Sequence, residues 1–336
     1  MKKILLIILF VFFVVGSWFF FANRLDYKKV IFVLPSSQRA SSPYFYKKDG
    51  DFYLANDLKL GFEKLGYEVE YRFREDYDDL KLKNAGNVIY FKGYYAFKNL
   101  PKDGVDKRKK VLYVYYMEGL YPEILGQADA VVSASKRFVN EHIVASGLKG
   151  GHIPQYTNPE RFRGADVEQD KQHEVLFVGS DHSRKGRKSV DFALKAGANL
   201  SVFGKFWGES LDSSVLKGSY IDNDELYKYY GNARVVLNDH REDMAYYGFV
   251  SNRIYDVSAS GGFIFTDYVK EVEEEYGDSI AMYKNFDEFK EKLQYYLENE
   301  DVRNDMAKRA QKITLEKFTN VKAAEKFIEI FKNIKK

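Results

Sequence analysis

The stretch Val235-Val236-Leu237-Asn238-Asp239-His240-Arg241-Glu242, continued by Gly248-Phe249-Val250-Ser251-Asn252-Arg253-Ile254-Tyr255-Asp256 and Ser260-Gly261-Gly262-Phe263-Ile264-Phe265-Thr266-Asp267, decides how this chain folds. Residues 235–237 are a short apolar run of buried-strand type, and a polar loop follows. Gly248 and the Ser251-Asn252 pair then open an amphipathic segment that stops at a double glycine, as a helix does. Residues 263–265 are the next strand. This order places Arg253 and the unpaired amides of a first turn at a helix N-terminus, where the dipole is positive and anionic groups bind well. Asp256 follows one turn later, within reach of a neighbouring hydroxyl such as a ribose. The constellation points to a bound nucleotide diphosphate. Taken singly, Asn238, Ser251 and Asn252 also suit loop and helix caps, and Arg253 a solvated helix position.

The same block resembles the C-terminal nucleotide-sugar domain of the CgeB-like (spore-maturation-type) glycosyltransferases, relatives of the GT-B superfamily. That pattern has an Asn-bearing strand end, a helix start of the type S-N-R-x-[FY]-[ED], a small-residue-plus-Gly helix end and a strand closing on Thr-Asp. Here the pieces are Leu237-Asn238, residues 251–256, residues 259–262 and residues 264–267. The resemblance extends over residues 173–320, including Phe177-Val178-Gly179-Ser180, Phe203-Gly204 and residues 283–289. Two positions depart from it: Asp256 stands for the usual Glu, and Ser260 for Ala or Cys. The resemblance implies a transferase with a nucleotide-sugar donor as substrate, no separate cofactor, and a glycan, lipid or protein acceptor. It implies a donor site built from Gly179, Asn238, Ser251, Asn252, Arg253 and Asp256.

Working outward, residues 30–34 form a strand, and residues 53–65 carry apolar side chains at helical spacing, ending at Gly66. Residues 67–71 alternate as a half-wet strand does, and residues 87–91, 111–116 and 130–133 continue the series. A polar break over 158–172 reads as an interdomain linker. Beyond it come strands at 175–178 and 200–203, a helix at 224–230, the opening block, and a helical segment at 293–306. Strands alternating with helices predict parallel sheets covered by helices. The expected fold is α/β, with two Rossmann-like domains of GT-B type at 28–157 and 173–320 and a last helix at 321–336. That helix has Phe327, Ile328, Phe331 and Ile334 near one stripe; it either crosses back to the first domain or caps the second. Ligands in such sheets lie beyond the strands' carboxyl ends, where the Gly179 and Asn238 loops fall.

A chain of 336 residues with 45% apolar and 30% charged residues is long enough for two cores. With no cysteine, disulfides, cysteine metal sites and cysteine nucleophiles are excluded. The net charge of +3 comes from interspersed acids and bases, which argues against a nucleic-acid partner. Lys2-Lys3 precede an uncharged run over residues 4–22, about 28 Å as a helix and sufficient to cross a bilayer core. The aromatic residues before Ala22 make a poor cleavage context, so residues 1–24 are expected to be a single-pass anchor. Flanking charges lean toward a cytoplasmic main body.

The loop Gly179-Ser180-Asp181-His182-Ser183-Arg184-Lys185-Gly186-Arg187-Lys188 leaves a strand directly and concentrates positive charge. Arg184 and Lys185 are the candidates for neutralising a diphosphate leaving group. His240, inside the matched block, ranks first as general base, ahead of His182 and Glu118. The Asp-x-Asp spacings at Asp49/Asp51, Asp76/Asp78 and Asp222/Asp224 fall in turns or helix starts and read as structural, so no metal site is expected. P-loop and Gly-x-Gly-x-x-Gly patterns are missing. A non-catalytic tethered binding module and a nucleotide-sugar epimerase of the same fold stay open as alternatives.

Overall fold

A computed structural model of the chain describes residues 25–42, 45–93, 99–101, 107–116, 120–182, 184–208 and 211–335. The expected anchor over residues 1–24 and the candidate base Glu118 lie outside them. Among the described residues no helix is long and apolar enough to cross a membrane.

The first half contains β1 (Asp26–Val33), α1 (Gly50–Lys64), β2 (Glu68–Arg72), β3 (Ala85–Lys92), β4 (Lys109–Val114), β5 (Ala130–Ser133), the short helix α2 (Lys136–Phe138) and β6 (Gly150–His152). The second contains β7 (Val175–Val178), α3 (Lys188–Lys195), β8 (Leu200–Phe203), β9 (Leu216–Gly218), α4 (Leu226–Asn232) and β10 (Val235–Asn238). It continues with α5 (Glu242–Tyr247), α6 (Asn252–Ala259), β11 (Ile264–Asp267), α7 (Lys270–Tyr276), β12 (Ala281–Tyr283), α8 (Phe286–Glu298) and α9 (Glu300–Lys317), and the chain closes with α10 (Asn320–Asn333).

The strands form two six-stranded sheets, ordered β2-β1-β3-β4-β5-β6 and β12-β11-β10-β7-β8-β9. Every pairing between them is parallel. Central strands are mostly apolar because both faces are covered: β3 and β10 are buried along their whole length, Asn87, Lys92 and Asn238 included. The strand order reverses between β1 and β3 in the first sheet and between β7 and β10 in the second. At each reversal the outgoing loops diverge and leave a crevice at the carboxyl ends of the strands.

Three strands went unread in the sequence. β6, β9 and β12 are three residues each, too short to show a period. The helical segment expected at 293–306 is two helices that break at Asn299, and the loop after β10 contains α5.

The last helix crosses back. Ala324, Phe327 and Phe331 join the core of the first sheet, with the Phe327 ring 5.2 Å from Tyr113 and 6.3 Å from Phe62. The chain thus passes between the halves twice, and the two passages run side by side. The Thr157 amide donates to the Phe318 carbonyl at 2.9 Å, and the Asn320 amide donates to the Thr157 carbonyl at 2.8 Å. Gly61 permits this closeness, since a Cβ there would lie 2.4 Å from the Asn320 carbonyl oxygen. The polar break after Thr157 is not a loose tether: Phe162 is packed in the second core, and Arg161 pairs with the buried Asp57 of α1.

The carboxyl ends of the two sheets face one another. Arg241, beyond β10, lies 5.8 Å over the Tyr116 ring beyond β4. Ser135 donates to the Tyr247 carbonyl, and Arg137 to that of Tyr246. Met244 and Phe249 are buried in the first core although they belong to the second half of the chain.

Candidate functional site

The strand reversal of the second sheet brings the loops after β7 and β10 together, and the first turn of α6 closes over them. Asn238, wholly buried, donates its amide to Thr266 Oγ1 at 2.9 Å and accepts from Arg253 Nη1 at 2.6 Å. Arg253 Nη2 donates to the Val178 carbonyl. The guanidinium also lies 5.0 Å over the Phe177 ring. Burial holds its pKa below the ordinary arginine value, although Tyr230 acts in the other direction. The guanidinium is built in, not solvated. Gly179 is bare for a reason, because a Cβ there would sit 2.8 Å from Arg253 Nη2.

A second arginine reaches the same ring from the opposite loop. Arg187 lies 5.2 Å over Phe177, donates to the Asp239 carboxylate and reaches the Asp239 carbonyl at 3.0 Å. Asp239 also accepts from the Ser189 amide at 3.0 Å and hydroxyl at 3.1 Å, which pins the start of α3 to the end of β10. Two guanidinium groups therefore converge at the crevice, and the hydrogen bonds of Arg253 go to an amide oxygen and a carbonyl. Such a site suits an anion with several oxygens.

Arg184 and Lys185 stand elsewhere. Both are exposed on the loop rim, and Arg184 adopts a left-handed backbone with φ 55°. Arg187, three residues on, is the basic residue that enters the crevice. Its only signal in the sequence was its place directly before the amphipathic α3.

His240 does not present a base to the cleft. Its side chain is 1% exposed, with Nδ1 2.7 Å from Asp267 Oδ1. Nε2 accepts the Ser251 amide at 3.0 Å, so the ring is the Nδ1–H tautomer and its lone pair is occupied. The His240 amide also donates to Asp267 at 3.1 Å. Burial pushes Asp267 up, but His240 and Thr266 outweigh it and hold the carboxyl below its usual range. The expected catalytic histidine is thus a brace that ties β10 and β11 to the start of α6. Ser251 occupies the N-cap position without a capping bond from its side chain.

Asp256 turns toward the domain crossing. Its Oδ1 accepts from Thr157 Oγ1 at 2.8 Å and its Oδ2 from Asn252 Nδ2 at 2.8 Å. Burial pushes it up to about 7, against the pull of Arg161. The ribose contact expected of Asp256 is not built into this arrangement, since both oxygens serve the fold. Of the expected residues, Gly179, Asn238 and Arg253 meet in one place. Ser251 pairs with His240 and Asn252 with Asp256, while Arg184 and Lys185 remain at the rim.

The chain is similar to known proteins in sequence and in fold. Residues 184–329 match the family described as Glycosyl transferase-like. Spore protein CgeB of Bacillus subtilis (strain 168) is 24% identical over 225 residues, covering 61% of this chain and 68% of that protein. AviGT4, a glycosyltransferase involved in avilamycin A biosynthesis, superposes with a TM-score of 0.63 at 15% identity, covering 90% of this chain and 97% of its own. An α-glucosyltransferase in complex with UDP-glucose and abasic-site DNA gives 0.66 at 11% identity, covering 91% and 99%. The chain has the GT-B fold and is similar in sequence to CgeB and, over residues 184–329, to the Glycosyl transferase-like family.

Proposed function

We propose that this protein is a glycosyltransferase that moves a sugar from a nucleotide-sugar donor to a hydroxyl of a glycan, lipid or protein acceptor. The observation that carries this reading is the pair of guanidinium groups, Arg187 and Arg253, held over Phe177 at the strand reversal of the matched domain. As the bond from the anomeric carbon to the diphosphate breaks, its electron pair stays on the leaving oxygen. Preset cations at that point lower the barrier, because they need no reorganisation when the charge develops. With two arginines in that role, transfer proceeds without a metal ion. Asn238 and Gly179 act by placing Arg253, and Arg184 and Lys185 at the rim draw the anionic donor in. Residues 1–24 anchor the protein in the membrane, with the catalytic body on the cytoplasmic side.

The test is calorimetry with UDP followed by a radiolabelled panel of nucleotide sugars. Wild type binds UDP, and Arg187→Ala weakens it by about tenfold or more, the loss of a charge-assisted contact to phosphate. Transfer survives a chelator. A wild-type protein that binds no nucleoside diphosphate overturns the reading, and interconversion of donor without acceptor redirects it to an epimerase. Protease protection of membrane vesicles tests the side on which the body lies.

A further inference from the structure

The crevice occupies the carboxyl end of the first sheet; the amino end, on the far side, carries a charge pattern that the site does not use. Charge is divided unevenly along the chain. Residues 173–320 hold 20 Lys and Arg against 26 Asp and Glu, a net of −6, while the whole chain is +3, so the remaining residues carry +9. Part of that surplus gathers where the strands of the first sheet begin. Lys28 lies near the start of β1, Lys107 just before β4 and Lys149 directly before β6, and all three are exposed. The end of α10 adds the exposed Lys332 and Lys335, since Lys109 at the start of β4 donates to the Phe331 carbonyl at 2.7 Å. Acidic side chains at this edge are already matched: Glu68 pairs with Lys29 at 2.9 Å, Glu70 with Lys83 at 3.0 Å and Asp79 with Lys81 at 2.9 Å. Lys28 rests over the Tyr67 ring at 4.1 Å, and the other four lysines have no acidic partner among the described residues. Two apolar side chains stand out of the same edge: Tyr27, 43% exposed, and Val144 in the helical turn leading to β6, 62% exposed.

We propose that the amino edge of the first sheet seats on an anionic phospholipid surface, as a second membrane contact beside the anchor. This deepens the membrane reading of residues 1–24 and is independent of the transfer chemistry. The place of the seat follows from the chain. Residues 23–25 alone separate the uncharged run over residues 4–22 from Asp26, where β1 starts at this same edge. A bilayer that holds the run therefore meets the amino edge first. Anionic headgroups attract each lysine near the surface, and the attraction accumulates over a cluster. Tyr27 suits headgroup depth, with an apolar ring and a polar tip. The negative second half is repelled from such a surface, which helps to fix the tilt of the molecule. The consequence concerns the acceptor. β1 is 8 residues long, about 26 Å at a rise of roughly 3.3 Å per residue, and the crevice lies beyond its far end. The seat holds the cleft clear of the headgroups, so the acceptor hydroxyl enters from the water side.

The experiment reconstitutes the full chain in nanodiscs of phosphatidylcholine, alone or mixed with phosphatidylglycerol, and follows lysine acylation by mass spectrometry. Lys28, Lys107, Lys149, Lys332 and Lys335 are expected to react about threefold or more slowly over the anionic mixture, in line with the attraction of a lysine to such a surface. Lys205 and Lys284, exposed on the second half, should react alike over both lipids. Raising the salt to about 0.5 M should erase the difference, because the screening length falls to about 4 Å. Lys107→Glu combined with Lys149→Glu should return Lys28, Lys332 and Lys335 to their rates over neutral lipid and leave UDP affinity unchanged. Equal rates over both lipids, equal protection by free inorganic phosphate over neutral lipid, or protection that survives the double variant overturns the seat and leaves the anchor and transferase readings standing. Should the chain not enter nanodiscs, the anchor reading fails and flotation with vesicles decides. Recovery with the anionic mixture alone supports the seat, and recovery with neither lipid or with both overturns it.

Discussion

Arg253 shows how far residue-level reading of the sequence reaches. Its place at a helix start was legible from Ser251-Asn252-Arg253. That its guanidinium is buried was not, because burial depends on Phe177, Val178 and Asn238 from two other strands. Arg253→Ala is therefore expected to lose stability as well as nucleotide affinity, by about 1.5–3 kcal/mol for buried charged hydrogen bonds left open. Chemical denaturation beside UDP calorimetry checks this; an unchanged midpoint would return the side chain to solvent. Asp256 gives a pH-dependent counterpart. Its folded pKa of about 7 lies above the unfolded value of about 3.9. An acid of this kind binds its proton more tightly when folded, so its contribution falls as pH rises from about 4 to about 7. Asn cannot ionise, and its amide can donate to Asn252 Oδ1, which lacks a partner. Asp256→Asn should thus gain on wild type with rising pH, by about 2–3 kcal/mol between pH 5 and 8. A Tm difference that is the same at both pH values would refute it. His240 was misread for a similar reason: a histidine in a loop carries no mark of whether its lone pair is taken.

At the scale of elements, pattern served where elements are long. The apolar stripe of α10 was visible in Phe327, Ile328, Phe331 and Ile334, but periodicity cannot say which core a stripe joins. The structure puts it on α1 and the first sheet, where Phe327 is fully buried. Phe327→Ala should cost about 3–5 kcal/mol and destabilise the first half of the chain, although the residue belongs to its last helix. Hydrogen exchange would show the loss as faster exchange in β1, β3 and β4. Faster exchange confined to α9 and β11 would mean that the helix caps the second half instead.

At the scale of the molecule, the alternation of strands and helices revealed two Rossmann-like halves, whereas their mutual seating rests on contacts between residues more than a hundred positions apart. Arg137 is one such contact, donating to the Tyr246 carbonyl and lying 3.4 Å from Glu271. Arg137→Ala should leave each core intact and loosen the seating. Small-angle scattering would then give a larger radius of gyration with an unchanged far-ultraviolet spectrum, and identical scattering curves would deny the contact that role. The paired crossings at Thr157 and Asn320 bear on how the protein is made. The core around α6 draws on residues 162–318, one unbroken run, whereas the core around α1 stays open until residues 320–333 arrive. On the ribosome the half translated first must wait, its apolar flank bare, for the last helix to emerge. The half translated second can close before it, which makes the early half the natural client of a chaperone.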